Sequence, residues 1–365
     1  MILMNNFERE ASELKKCMLE AARRVIDSGH YILGGELKSF ESSWAQVCCC
    51  EYGVGVGNGM DAIEIILRSL NIGPGDEVIT TPMTAFATVL AIYRAGAIPV
   101  LADIDSQTGL LSLESVANCV TARTKAVILV HLYGQMSEMN NWVNFTRESK
   151  IFLIEDCAQS HLAELENKRA GSFGIAGAYS FYPTKNLGAM GDAGMVVTNS
   201  IDVFNKAVCL RNYGQTERYH HPEIGLNSRL DEIQAAILSE RIKWLEGYTD
   251  IRRQIAKRYR VEISNPLITH MLSPVDEKSH SYHLFVIRCE KREHLQKYLL
   301  DNNIQTLIHY PIPIHKQEPC LDVLRDKNGL SNAEKHAQTA LSIPCNPQLT
   351  LMEVNKIIDA INRYS

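Results

Sequence analysis

The chain of 365 residues lacks several features that would place it in other classes of protein. No apolar run reaches the ~18 residues of a helical membrane span. Basic residues are not in excess, because the net charge is −5, so neither nucleic acid nor an anionic membrane is an expected partner. The first ten residues carry Glu8, Arg9 and Glu10 and lack the basic-then-apolar order of a signal peptide. These features predict a cytoplasmic protein.

Cysteine is present, but without the spacing of a metal site. The ten cysteines include the run Cys48-Cys49-Cys50, yet none forms a C-x-x-C pair, and histidines at zinc-finger spacing are absent. Consecutive residues of a strand point to opposite faces, so three in a row cannot all reach one ion. We expect reduced thiols that pack as small hydrophobic groups, and no bound metal.

The composition and the order of the patterns predict an α/β enzyme of two domains. Apolar residues make up 45% of the chain and charged residues 22%, as in ordinary globular proteins. From residue 53 to about 200, β-rich runs alternate with helical stretches, which predicts a large, doubly wound, mainly parallel sheet. A helical pattern follows from Asp231 to about Tyr259. The remainder mixes predicted strands, Tyr282–Arg288 and Gln305–His309, with predicted helices, Lys291–Asn302, Ser331–Leu341 and Leu351–Ile361. We predict a large domain over 1–245, including an N-terminal helix, and a smaller α+β domain over 246–365. The predicted strands of the large domain are Gly53–Val56, Glu77–Thr80, Ile98–Asp103, Ala126–His131, Ile151–Glu155, Ala178–Phe181 and Met195–Thr198.

Two charged residues follow predicted strands of this sheet. Asp156 ends the apolar run at 151–154, and ligands of open α/β sheets bind at the carboxyl ends of parallel strands. Lys185 lies between another predicted strand and a glycine-rich turn. Such a pair could hold pyridoxal phosphate (PLP), with the lysine forming an imine and the aspartate keeping the pyridine nitrogen protonated. Alone, the lysine is more often a solvated surface residue and the aspartate a helix cap.

Three further segments carry groups suited to such a ligand. Gly55–Ala62 opens a predicted helix, whose free N–H groups and partial positive charge suit a phosphate, although glycines in such turns often serve positive φ alone. Ser180 could add a hydroxyl to the phosphate, and Gln159 could reach the hydroxyl of a ring held by Asp156. Asn227 or Arg229 could contact phosphate, or residue 227 or 228 could simply cap the long helix.

In order along the chain, these segments resemble the sugar aminotransferases of the DegT/DnrJ/EryC1/StrS family. The resemblance runs from Ser28 to Gln317 and includes residues 131–135 (HLYGQ) and 225–236. It implies the fold of aspartate aminotransferase, PLP as the cofactor, L-glutamate as the amino donor, and nucleotide-linked keto sugars as the acceptors. It also implies a homodimer whose active site lies at the subunit interface.

The resemblance implies a role for each matching residue. Lys185 would form the imine and carry the proton, and Asp156 would pair with the pyridinium nitrogen. Gln159 would bond the ring hydroxyl. The phosphate would be held by the amides of Gly59 and Met60, by the Ser180 hydroxyl, and by Asn227 of the neighbouring subunit. Because dehydratases of this family carry histidine in place of the lysine, Lys185 favours transamination.

The chain departs from the family pattern at three positions. Met60 stands where threonine or serine is common, and Leu162 where glycine is usual. Many members of the family stack an aromatic residue on the cofactor. The resemblance implies that Phe86 takes this place, or that the small Ala85 occupies it if the alignment shifts by one residue. Tyr182, His309 and His315 are candidates for contacts with the substrate.

The sequence of residues 181–189 (FYPTKNLGA) is similar to that of family members that aminate C3 of a dTDP-linked 3-keto-6-deoxyhexose. The alternative enzymatic function is amination at C4, or amination of a non-nucleotide keto sugar or cyclitol. A PLP-binding regulator without turnover is the alternative from another class.

Overall fold

A computed structural model of the protein describes residues 1–274 and 276–365. The α-helices are α1 (Ser12–Ser28), α2 (Gly35–Val47), α3 (Gly59–Ser69), α4 (Phe86–Arg94), α5 (Leu113–Cys119), α6 (Met139–Ser149), α7 (Ile201–Leu210), α8 (Glu232–Glu262), α9 (Arg292–Asp301), α10 (Ser331–Thr339) and α11 (Leu351–Arg363). The strands are β1 (Tyr52–Val56), β2 (Glu77–Thr80), β3 (Ile98–Leu101), β4 (Thr124–Val130), β5 (Phe152–Asp156), β6 (Glu164–Leu165), β7 (Lys168–Arg169), β8 (Ala176–Ser180), β9 (Gly194–Thr198), β10 (Thr269–His270), β11 (Phe285–Arg288), β12 (Leu324–Arg325) and β13 (Ala340–Ile343). Among the described residues, none of the helices combines the length and the apolar character needed to cross a membrane.

The large sheet has eight strands in the order β1-β9-β8-β5-β4-β2-β3-β12. Only β9 runs antiparallel to its neighbours, β1 and β8, and the other strand pairs of this sheet are parallel. The predicted fold class, a large and mainly parallel sheet in an α/β protein, is confirmed. The carboxyl ends of β4 and β5 lie side by side, because Val130 pairs with Asp156.

Both faces of this sheet are covered by helices, as its continuous apolar strands require. In β4, Ala126 and Ile128 pack against side chains of α3, α4 and α7. The alternate residues Val127 and Leu129 pack with side chains of α2, α6 and α8 on the opposite face. The period of two along a strand therefore divides the core into two layers, one on each face of the sheet.

The 31-residue helix α8 leads from the large sheet to a three-stranded sheet, β10-β11-β13. Its first half contributes Leu238 and Leu245 to the core of the large sheet. Its second half contributes Ile255 and Tyr259 to a separate cluster with β11, β13, α9 and α11. We keep the division into 1–245 and 246–365 as a proposal, and these two clusters support it.

The C-terminal third departs from the sequence-based expectations in two places. The predicted strand Gln305–His309 makes only an isolated bridge, between Leu307 and Ser342. The helix predicted over Ser331–Leu341 ends at Thr339, and β13 follows directly. The short strand β12 pairs with β3 at the edge of the large sheet, a long-range contact without a local signal.

Candidate active site

A cavity of about 420 Å³ opens at the carboxyl ends of the central strands. It lies where β8 ends and α3 begins, at the edge of the sheet where ligands of open α/β folds bind. Elements from both halves of the chain contribute to it. The lining residues are Asn58, Gly59, Met60, Ala87, Gln159, Ser180, Tyr182, Thr184, Lys185, Asp192, His283, His309 and Tyr310.

Asp156 is the last residue of β5 and is buried, with 5% of its surface exposed. One carboxylate oxygen accepts a hydrogen bond from the Thr88 hydroxyl at 2.9 Å, and the other accepts from the Ala158 amide at 3.1 Å. Burial raises the pKa of Asp156, while these two bonds and the charge of Lys185 act in the opposite direction. The carboxylate is therefore oriented, and a further cation beside it would favour its ionised form.

Lys185 lies in a tight turn five residues beyond the end of β8. Its amide donates to the Tyr182 carbonyl at 2.8 Å. The turn requires glycine at position 188, because a Cβ there would lie 2.3 Å from the Pro183 carbonyl oxygen. Desolvation lowers the pKa of the Lys185 amine to about 8, and the Asp156 carboxylate partly opposes that shift. A fraction of the amine is therefore unprotonated near neutral pH, as a nucleophile needs.

The first turn of α3 forms an anion-binding surface next to Ser180. The side chain of Asn58 caps the helix by accepting from the Asp61 amide at 2.8 Å. The amides of Gly59 and Met60 belong to the first turn, where N–H groups have no helical partner and the helix dipole favours a negative charge. A Cβ on Gly59 would lie 2.7 Å from the Ser180 Cβ, so only glycine allows this close approach.

We expect Gly59→Ala to raise the dissociation constant for PLP by about tenfold or more, because the α3 N-terminus must move away from Ser180. Titration of the cofactor-free protein with PLP measures the change. The matched control is Gly247→Ala within α8, where a Cβ meets open space. That variant should bind PLP normally and be more stable by ~0.5–1 kcal/mol. Equal PLP affinity in both variants would contradict the assignment of this turn.

Gln159 is buried between the cavity and the chain after β4. Its side-chain oxygen accepts from the Tyr133 amide at 2.6 Å, which directs the NH₂ group toward the Tyr310 hydroxyl at 3.2 Å. Burial and the nearby carboxylate of Asp156 raise the pKa of Tyr310 to about 12, so the phenol stays protonated. The glutamine therefore presents a hydrogen-bond donor at the cavity.

Eight of the proposed site residues meet at this cavity: Gly59, Met60, Gln159, Ser180, Tyr182, Lys185 and His309 line it, and Asp156 lies behind them. Three others do not line it. Phe86 packs against a cluster around Val89, and the neighbouring Ala87 faces the cavity instead. His315 is buried and bonds to Glu334 at 3.0 Å. Asn227 is exposed beside Ser228. The roles of these residues stay predictions.

Leu162, the departure from glycine, adopts φ = 61°, in the left-handed region that glycine favours. Its side chain is buried in the core of the large sheet and does not line the cavity. The structure thus gives a backbone reason for glycine at this position.

Thr88, His283 and Tyr310 are functional candidates that the sequence did not single out. Thr88 and Tyr310 stand inside segments that attracted attention for other residues. His283 carries no local signal, since it lies just before β11 and reaches the cavity only through the packing of the two halves of the chain.

His131, Glu155 and Cys157 place one ligand atom each within 4.8 Å of one another beneath the site. The Glu155 oxygens accept from the amides of Gly171, Phe173 and Gly174, each at 2.8 Å, and bond to His131 at 2.9 Å. Because both carboxylate oxygens of Glu155 already accept hydrogen bonds from the loop before β8, we infer that this cluster stabilises the loop and does not bind a metal ion.

The residues present fit PLP. A helix N-terminus beside a hydroxyl suits its phosphate, a buried and oriented carboxylate suits its ring nitrogen, and an amine of lowered pKa suits its aldehyde. Fold and site together define an α/β protein built to bind this cofactor.

The sequence pattern of the DegT/DnrJ/EryC1/StrS aminotransferase family matches residues 12–362. The chain belongs to this family and is a PLP-dependent aminotransferase.

Two curated proteins are similar over nearly their whole length. The dTDP-3-amino-3,6-dideoxy-alpha-D-galactopyranose transaminase of Aneurinibacillus thermoaerophilus is 43% identical over 96% of each chain. The pleiotropic regulatory protein of Geobacillus stearothermophilus is 40% identical over 99% of this chain and 98% of its own. Among solved structures, S. venezuelae DesV in complex with a ketimine intermediate superposes with a TM-score of 0.95. It is 36% identical, with 99% of this chain and 97% of that chain covered.

Proposed function

We propose that this enzyme transfers an amino group from L-glutamate to C3 of a dTDP-linked 3-keto-6-deoxyhexose. The observation that carries the proposal is the cavity that brings Lys185, Asp156, Gln159 and Ser180 together at one sheet edge. The 43% identity to a protein named as a dTDP-3-amino sugar transaminase supports the choice of acceptor and of ring carbon.

The roles of the residues follow from their chemistry. PLP, when bound, supplies an electron sink for the carbanion of the substrate. Asp156 holds a proton at the pyridine nitrogen, and the Thr88 hydroxyl orients that carboxylate. Lys185 would anchor the cofactor and would then carry the proton to and from the substrate carbon. The first turn of α3 and Ser180 hold the phosphate, and Gln159 donates to the ring hydroxyl.

Substrate groups meet the outer part of the same cavity. Tyr182 is 52% exposed and offers an aromatic face to the sugar or its base. His309 bonds to the Ser342 hydroxyl at 2.9 Å, and burial together with the charge of Lys185 lowers its pKa to about 4. Its imidazole is therefore neutral and can exchange hydrogen bonds with hydroxyl groups.

A regulatory role without turnover is the competing proposal, and one relative bears a regulatory name. The set of a lysine with a lowered pKa and a buried carboxylate favours catalysis, because a pure sensor has no use for a group that moves protons.

Steady-state assays with glutamate and a panel of acceptors test the proposal. The panel contains 3-keto and 4-keto sugars linked to dTDP, UDP and GDP. We expect the highest kcat/KM with the dTDP-linked 3-keto-6-deoxyhexose, and the product should carry nitrogen at C3 by NMR. Preference for a 4-keto sugar or for a free keto sugar would contradict the assignment of the acceptor.

The active unit of this proposal is a homodimer. The Ser228 hydroxyl donates to Asp61 at 2.7 Å and accepts from the Gly57 amide at 2.9 Å, so the loop before α8 is fixed against the phosphate turn. Asn227, next to Ser228, is left exposed in the single chain. An exposed amide on a fixed loop suits a contact with the phosphate in the partner subunit.

A mixing experiment tests this sharing of the site. Asn227→Asp places a negative charge beside the phosphate of the partner's cofactor, and we expect it to abolish PLP binding. A mixture of Lys185→Ala and Asn227→Asp chains should regain activity, in roughly a quarter of the sites for a dimer that mixes at random. An inactive mixture that contains heterodimers would contradict the shared site.

We also propose that the enzyme works in the cytoplasm. All ten cysteines carry free thiols, and seven of these residues lie in the hydrophobic cores, which suits a reducing compartment.

A further inference from the structure

His283 is a cavity residue with no role in the function described so far. It lies between β10 and β11, in the C-terminal part of the chain, and lines the cavity together with Lys185 and His309. Its Nδ1 lies 3.2 Å from the side-chain oxygen of Asn186, the residue that follows the lysine.

The backbone around His283 is fixed to the large sheet. The Ser281 amide donates to the Gly134 carbonyl at 2.9 Å, and the Ser281 hydroxyl donates to the Gln159 carbonyl at 3.1 Å. Gly134 has φ = 99°, and a Cβ on it would lie 3.1 Å from the backbone nitrogen of His283. The backbone beside His283 is therefore held against the loops that follow β4 and β5, and the bond to Asn186 orients the imidazole.

The hydrogen bonds of Asn186 determine which ring nitrogen of His283 carries the proton. The Asn186 NH₂ group donates to the Ser281 carbonyl at 3.0 Å, which leaves its side-chain oxygen facing His283. An amide oxygen only accepts, so the Nδ1–H of His283 is the donor. In a neutral ring, Nε2 is then an unprotonated acceptor that points away from Asn186.

The surroundings keep the ring neutral. Burial lowers the pKa of His283 well below its ordinary value, and the charges of Lys185 and Arg252 lower it further. The other nearby imidazoles, of His309 and His161, also have lowered pKa values, of about 4 and about 3. Nε2 therefore remains an acceptor across the physiological pH range.

We propose that His283 Nε2 accepts a hydrogen bond from a ring hydroxyl adjacent to the keto carbon of the acceptor sugar, so that His283 selects the sugar. A fixed acceptor beside Lys185 suits a hydroxyl donor, and a site built for a hydroxyl rejects an analogue that lacks it. This inference rests on the proposed sugar aminotransferase function.

The test separates the two half-reactions. In His283→Phe, the reaction of the PLP enzyme with glutamate should keep its rate within about twofold, while the reaction of the aminated enzyme with the keto sugar should slow by about 10- to 100-fold. His283→Gln, whose amide oxygen can replace Nε2, should recover most of this loss. His294→Phe is the matched control, because His294 bonds to Tyr364 and does not line the cavity.

Acceptors that lack one hydroxyl decide whether the hydrogen bond exists. For the 2-deoxy or the 4-deoxy counterpart of the sugar, the difference between wild type and His283→Phe should fall to about twofold or less. A penalty that is equal for the parent sugar and both deoxy sugars overturns the proposal, as does an equal loss in the glutamate half-reaction. If His283→Phe does not fold, Asn186→Ala replaces it as the test. This variant removes the oxygen that keeps the proton of His283 on Nδ1, and it should show the same acceptor-dependent loss of rate, but a smaller one. The wild-type enzyme reacting with neither glutamate nor a keto sugar would refute the proposed function instead.

Discussion

Replacing Lys185 by alanine is expected to lower the rate of amino transfer by about 10⁴-fold or more, because one residue serves as both the cofactor anchor and the proton carrier. The purified variant should also lose the visible band of PLP bound to a lysine. Mass spectrometry after borohydride reduction should find the cofactor on the Lys185 peptide of the wild type.

The control for this variant is Lys168→Ala. Lys168 lies in β7 with its ammonium 5.6 Å from the centre of the Phe173 ring, and it does not line the cavity. Its replacement should leave kcat and PLP binding unchanged. Desolvation of the Lys185 amine opposes its charge, so Lys185→Ala should not lower the melting temperature of the cofactor-free protein. Turnover in Lys185→Ala above one hundredth of wild type would contradict the role of this residue.

Asp156→Asn is expected to lower kcat by about 10³-fold, because a neutral amide cannot stabilise the protonated ring nitrogen. Asparagine keeps the size of the side chain and can still accept a hydrogen bond from Thr88. The defect should therefore appear in both half-reactions, since each would need the protonated ring nitrogen to withdraw electrons from its own substrate. Stopped-flow measurements of each half-reaction show this directly.

Thr88→Val separates the charge of Asp156 from its orientation. The Thr88 hydroxyl donates to Asp156 at 2.9 Å and bonds to Thr84 at 2.8 Å, so valine removes both of these hydrogen bonds and keeps the carboxylate. We expect a loss of about tenfold, much smaller than that of Asp156→Asn. Equal losses in the two variants would mean that the carboxylate acts mainly through its position.

The large sheet was predictable because its signals are local. The apolar runs ending at Val130 and Asp156, separated by helical stretches, predict parallel strands, and both strands lie within a few residues of the expected bounds. Asp156, Gln159 and Lys185 each stand at a fixed distance from such a strand. Their meeting at one edge follows from the fold class.

The residues that the sequence did not reveal depend on packing between distant segments. His283 and Tyr310 enter the cavity from the C-terminal part of the chain, and no periodic pattern encodes that approach. The substrate contact predicted for His315 stays a prediction, because its ring bonds to Glu334 in the single chain and does not line the cavity. Phe86 and Ala87 are neighbours in the first turn of α4 and therefore point in different directions. Ala87 lines the cavity, whereas Phe86 packs against the cluster around Val89.

One spectroscopic titration of the PLP-loaded enzyme tests most directly whether this chain is a sugar aminotransferase. Glutamate alone should convert the visible band of the bound cofactor to the near-ultraviolet band of its aminated form, with one 2-oxoglutarate released per subunit. Addition of one equivalent of the dTDP-linked 3-keto-6-deoxyhexose should then restore the visible band and yield the 3-amino sugar. A cofactor spectrum that no amino donor changes, or an aminated form that no keto sugar reconverts, would contradict the assignment of this chain as a sugar aminotransferase.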